Sequence, residues 1–151
     1  MLRPVSKFEP MMKIDTTYLE RCIAALERAY SLLIKSEVDT IEYDMFRSAS
    51  IKEFEIILEQ AGKLLRKALK PYFHSPKEVD RMVFKNVFRN AVLRDLITDE
   101  QCERWLQYRD NRNNTAHDYG VNFANETLVF LPQFIKDSMD LSAVLKNQND
   151  Q

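Results

Sequence analysis

The sequence predicts an all-α fold, an up-and-down bundle of about five helices. Three observations carry that expectation. Only two glycines occur in 151 residues, where ordinary usage is about 7%. Leu, Lys, Glu and Ala are frequent, residues that give up little side-chain freedom in a helix. Apolar residues recur at three- and four-residue spacing, and the stretches they mark begin at helix start signals.

Each element follows from its own signals. Residues 1–15 read as a flexible leader. Thr17–Tyr18–Leu19–Glu20 then reads as a capping box, a hydroxyl for orphan N–H groups and a carboxylate three residues later. Leu19, Cys22, Ile23, Leu26, Tyr30 and Leu33 follow as one apolar stripe. Asp39 with Glu42 repeats the arrangement, and a long second helix runs towards Pro71 on the stripe Phe46, Phe54, Ile57, Leu58, Ala61, Leu65, Ala68 and Leu69, with Ser48–Ser50 as a place to bend. Ser75–Pro76–Lys77–Glu78 starts a third helix carrying Val79, Met82, Val83, Val87 and Ala91. Thr98–Asp99–Glu100–Gln101 opens the fourth, with Cys102, Trp105, Leu106, Tyr108 or Arg109, and Arg112 along one side. After Gly120, Asn122 caps a last helix containing Leu128, Leu131, Phe134, Ile135, Leu141 and Leu145, in which Pro132 marks a kink or the true beginning. The bundle is expected over residues 16–145, with 146–151, KNQNDQ, as a disordered tail.

Bulk composition removes several classes. With 45% hydrophobic and 30% charged residues the chain reads as globular. No apolar run is long enough to cross a bilayer, so no membrane role is expected. The first residues lack the continuous apolar stretch of a secretory signal, and a cytoplasmic setting is the default. Cys22 and Cys102 both sit on apolar stripes with no CxxC spacing, and read as buried free thiols rather than a disulfide or a reactive site. A net charge of −1 gives no global field for nucleic acid, so any RNA contact must come from a local cluster.

One stretch has chemistry to offer. Residues 112–120 read RNNTAHDYG, placing Arg112, His117 and Tyr119 within eight positions. Arg112 and His117 lie about 140° apart on a regular helix, so they converge only if the helix ends or loosens at Asn113, Asn114 and Thr115, which are poor helix formers. A guanidinium offers a planar fork of donors to phosphate. An imidazole gives or takes a proton near neutral pH, and a phenol hydroxyl can donate a hydrogen bond or accept a transferred group. Arg plus His is the minimum set for metal-free cleavage of RNA. With one such histidine per chain, both proton transfers need water or a second copy. A solvent-facing arginine and a histidine at a helix carboxyl end fit the same letters.

The segment from Trp105 to Tyr119 resembles HEPN domains, within the subgroup of nucleotidyltransferase substrate-binding or HepT-like proteins. Its hallmark, Arg-x4-His-x-Tyr, is met by Arg112, His117 and Tyr119, and Asn113 supplies the usual Arg-Asn start. A second match, Phe-Glu-x3-Glu-x3-Lys, falls on Phe54–Glu55, Glu59 and Lys63. Ser75–Pro76 and Trp105 also occupy familiar places. Gln60, where an apolar residue is more usual, and Asp118 are mild departures. The resemblance, over about residues 16–145, implies a HEPN-like bundle that forms a homodimer and brings two motifs to one cleft. It implies the toxin of a toxin–antitoxin pair, a metal-independent endoribonuclease needing no cofactor, with RNA as substrate and Arg112 and His117 catalytic. It also implies an MntA-like minimal nucleotidyltransferase antitoxin that silences the toxin by adenylylating Tyr119. The alternative is a non-catalytic subunit that binds substrate or nucleotide for a two-component nucleotidyltransferase.

Other residues carry two readings each. Glu55, Glu59 and Lys63, at successive i, i+4 spacing, form a solvated ion-pair ladder or line the cleft and orient Arg112 in the dimer. The carboxylates lack the Glu-x-x-His spacing of bundle di-metal sites, so no metal is expected. His74 reads as an exposed loop residue, and Trp105 as core or dimer interface rather than a base-stacking platform. Arg104 and Arg109 widen the basic patch around Arg112, partly cancelled by Asp110 and Asp118.

Overall fold

The computed structural model describes residues 13–114 and 121–150. Among these residues there are six α-helices and no strand: α1 Thr17–Ile34, α2 Ile41–Leu69, α3 Pro76–Asp80, α4 Phe84–Leu93, α5 Asp99–Asn114 and α6 Val121–Asn147. Single 3-10 turns at Lys70–Tyr72 and Gln148–Asp150 follow α2 and α6. The fold class is the expected one. The expected third helix is split in two, because Val83 is extended (φ −73°, ψ 156°) and starts α4 afresh.

Helix starts show how local chemistry sets boundaries. The Ser75 hydroxyl accepts from the Lys77 N–H at 3.2 Å, as its place before Pro76 predicts. At α5 the cap is reciprocal. Thr98 accepts from the Gln101 N–H at 3.1 Å, and the Gln101 side chain accepts from the Thr98 N–H at 2.9 Å. Two expected caps sit elsewhere. Thr17 is the first helical residue, and its N–H donates to the Asp15 carboxylate at 2.9 Å while Thr16 donates to Glu20. At α2 Thr40, not Asp39, accepts from the Tyr43 N–H, at 3.1 Å, and Asp39 instead takes a left-handed turn with φ 69°.

The helix α2 is the spine, packed against α1, α6 and α4. It runs unbroken through Ser48–Ser50, where buried Ser50 donates to the Phe46 carbonyl at 2.8 Å. Its stripe meets an aromatic cluster shared by four helices. Phe54 lies 4.8 Å from Phe134, and Trp105 lies 5.4 Å from Phe88 and 5.5 Å from Phe134, centroid to centroid. Trp105 is only 1% exposed, which makes it core and removes the stacking platform. Burying rings of this size dominates core energetics. Pro132 lies inside α6, which begins at Val121 rather than at the proline.

After α6 the 3-10 turn at Gln148–Asp150 brings Asn149 back to the start of the bundle. Asn149 accepts from the Ile14 N–H and donates to the Ile14 carbonyl, both at 2.8 Å, and Ile14 is itself buried. A side-chain amide here does what a neighbouring strand would do.

Candidate functional site

The middle of α2 and the end of α5 meet at Glu55 and Arg112. On α2 Phe54 faces the core, so Glu55, turned by about 100°, stands at the edge of that core, half-buried. Arg112 lies in the last turn of α5, where a cation is favoured by the helix dipole. Its Nε stands 3.5 Å from Glu55 Oε2, within one chain, and the arginine side chain keeps 43% of its surface accessible. A half-exposed pair like this contributes about 1 kcal/mol or less to stability, so its larger effect is on where the guanidinium points.

Glu59 and Lys63 stand one and two turns further along α2, both exposed, and no ion pair joins either to another described residue. The i, i+4 row is therefore not a closed ladder, and Glu55 is the member that reaches Arg112. Asn113 is exposed beside Arg112. The helix persists through Asn113 and Asn114, where loosening was expected. His117, Asp118, Tyr119 and Gly120 lie outside the described residues.

Arg104 does not widen a basic patch. Its Nε and Nη2 donate to the two Asp137 oxygens at 2.8 and 2.9 Å. The Tyr108 hydroxyl donates to the same carboxylate at 2.6 Å, and Gln133 Nε2 adds a bond of 3.2 Å. Asp137 is buried, and its donors come from α5 and from one turn earlier on α6. The Asp137 hydrogen bonds hold the Arg104 guanidinium above its ordinary pKa. Burial, and then the bond to Asp137, push Tyr108 well above the usual phenol range. This tie between α5 and α6 had one faint signal in the sequence, two donors at i, i+4 on α5. The acceptor, 29 residues from Tyr108, sits unmarked in the apolar stripe of α6.

Arg109 lies over the Phe84 ring, its guanidinium carbon 4.7 Å from the centroid. Phe84 in turn rests on α2 at Gly62, where an added Cβ would come within 3.3 Å of the ring. Cys22 and Cys102 are both free and buried. Burial pushes both thiols up, which disfavours the reactive thiolate. His74 is exposed. Among the described residues no three of His, Cys, Asp and Glu are grouped to hold a metal ion. No described helix is long and apolar enough to cross a membrane.

Comparison with known proteins gives this arrangement a context. The chain is 27% identical over 110 residues to a protein of Haemophilus influenzae named probable ribonuclease HepT, covering 73% of this chain and 74% of the relative. The solved structure of HI0074, also from Haemophilus influenzae and described as the fold of a substrate binding domain of a nucleotidyltransferase, superposes with a TM-score of 0.74 at 23% identity, over 87% of this chain and 99% of the other. A family model, nucleotidyltransferase substrate binding protein like, matches residues 15–147, nearly the whole bundle including both motif helices. On that match the chain belongs to the nucleotidyltransferase substrate binding protein like family.

Proposed function

We propose that the protein is a HepT-like toxin, a homodimeric, metal-independent endoribonuclease whose Arg112 and His117 act at the scissile phosphate. The observation that carries this reading is the accessible Arg112 guanidinium, aimed by Glu55 at the end of α5. The name of the Haemophilus influenzae relative supports it.

The chemistry follows from the side chains. An imidazole takes the proton of a ribose 2′-OH, and the 2′-oxygen forms its bond to phosphorus. The bond to the 5′-oxygen breaks, and that oxygen leaves with a proton from water or from the second copy's imidazole. A cyclic phosphate and a 5′-hydroxyl result. Arg112 offsets the charge that builds on the phosphoryl oxygens. While RNA is absent, Glu55 balances part of the Arg112 charge, so an arriving phosphate competes with a carboxylate already in place.

In this reading Tyr119 accepts an adenylyl group from an MntA-like minimal nucleotidyltransferase antitoxin. The phenol gives up its proton to solvent, its oxygen bonds to the α-phosphorus of ATP, and the bond from that phosphorus to the β-phosphate breaks as pyrophosphate departs. The attached AMP puts a negative charge and an adenine next to Arg112, closing the site to RNA. The purified protein, incubated with RNA in excess chelator, should cleave it, and His117→Ala should lower the rate by at least 100-fold. Arg112→Lys should also fail, because a point charge does not replace the planar fork. Wild-type turnover in either variant removes that residue from catalysis. No cleavage by any of the three favours the second reading, a non-catalytic subunit for a separate nucleotidyltransferase, which the description of the HI0074 fold supports.

A further inference from the structure

Between α4 and α5 lies an open cavity of about 420 Å³, and Asn113, the residue after Arg112, forms part of its wall. We infer that this cavity is a subsite for single-stranded RNA, holding the phosphodiester next to the one at Arg112. The inference rests on the reading of Arg112 as a phosphate ligand, and extends it to a second place on the strand.

Three cations line the cavity. Lys85 and Arg89 are exposed and stand i, i+4 on one face of α4. Arg109 faces them from α5. Two carboxylates, Glu103 and Asp110, share the wall, yet none of the three cations is in an ion pair with a described residue. A chain of net charge −1 thus keeps a local positive surplus here.

Arg109 is the most constrained of the three. Its guanidinium is pinned on the Phe84 ring at 4.7 Å, and its buried Nε has no hydrogen-bond partner among the described residues. An unsatisfied buried donor is costly. Stacking on the ring holds the rest of the fork at the cavity wall. Arg109 also precedes Arg112 by three residues, so the two side chains start about 5–6 Å apart on neighbouring turns. Two guanidinium groups so spaced along one helix fit successive phosphates of one strand better than a single isolated anion. Leu106, half-buried on the same wall, offers an apolar edge to a base.

The test uses a short fluorescent single-stranded RNA made uncleavable by 2′-O-methyl groups. Its binding to the full chain is followed by anisotropy across a salt series. The Lys85→Glu/Arg89→Glu protein should lose about tenfold or more in affinity, with a salt slope flatter by roughly one to two. A Lys35→Glu/Lys77→Glu protein carries the same change in net charge away from the cavity and should bind within about twofold of wild type. Equal affinity and slope in the two double variants would overturn the subsite. So would displacement of the RNA by free AMP alone, which would assign the cavity to a mononucleotide. Cleavage of unmodified RNA, measured in parallel, separates this from the function proposed above. Wild type that binds through Lys85 and Arg89 but does not cleave removes the nuclease and keeps the subsite. Wild type that cleaves, with the cavity variant binding as the control does, removes the subsite and keeps the nuclease. A wild type that neither binds nor cleaves removes both.

Discussion

Asp137 accepts from Arg104 twice, from Tyr108 and from Gln133, and so ties α5 to α6. Asp137→Ala leaves the buried Tyr108 hydroxyl and the inner side of Arg104 without an acceptor. The expected loss is about 2–3 kcal/mol, below what fully buried pairs show, because Arg104 keeps 34% of its surface in water. A shift in the urea midpoint measures it, and a loss under about 0.5 kcal/mol would show that water takes over the carboxylate's role. The sequence made Arg112 legible through a spacing that needs only its own letters. Arg104 was misread as surface charge, since its partner lies 33 residues away and a single sequence does not show such pairings.

Among the elements, α4 ends in a way that invites change. Asp95 adopts φ 58°, while its N–H donates to Val92 and the Leu96 N–H donates to Ala91. This left-handed closure is one that glycine adopts without penalty. A carboxylate there also sits at the negative end of the helix dipole. Asp95→Gly should therefore stabilise the protein by about 0.5–1 kcal/mol, after allowing for the added freedom of the unfolded chain. An unchanged or lower melting temperature would contradict that. Helix starts were legible where side chain and proline coincide, as at Ser75, and where the box is reciprocal, as at Thr98. At α1 and α2 the N-cap lies one residue from the expected one, at Thr16 rather than Thr17 and at Thr40 rather than Asp39, because residues of the same capping type adjoin there. The break between α3 and α4 was hidden because apolar spacing continues across it, although Val83 is 61% exposed.

For the whole molecule, stripes and caps made the bundle legible, because burial of an apolar face leaves a periodic trace. The link between the two ends left none. At that pole Asp15 is held below its ordinary 3.8 by its hydrogen bonds to Thr17, and Glu20 below its ordinary 4.5 by its bond from Thr16. A carboxyl whose pKa is lowered by folding stabilises the fold above its unfolded value, and that contribution is lost as pH falls through the folded value. The Thr17 amide resonance should consequently titrate with a midpoint below 3.8. A midpoint at or above it would mean that the Asp15 bond is not formed in solution.

The Asn149–Ile14 tie also fixes geography. Helix α6 runs 27 residues from the Arg112 end of α5 to that tie, a span of about 40 Å. A dye, affinity handle or surface anchor fused after residue 150 therefore hangs from the pole opposite the guanidinium. Tethered single-molecule or immobilised assays built that way leave the Arg112 face unobstructed.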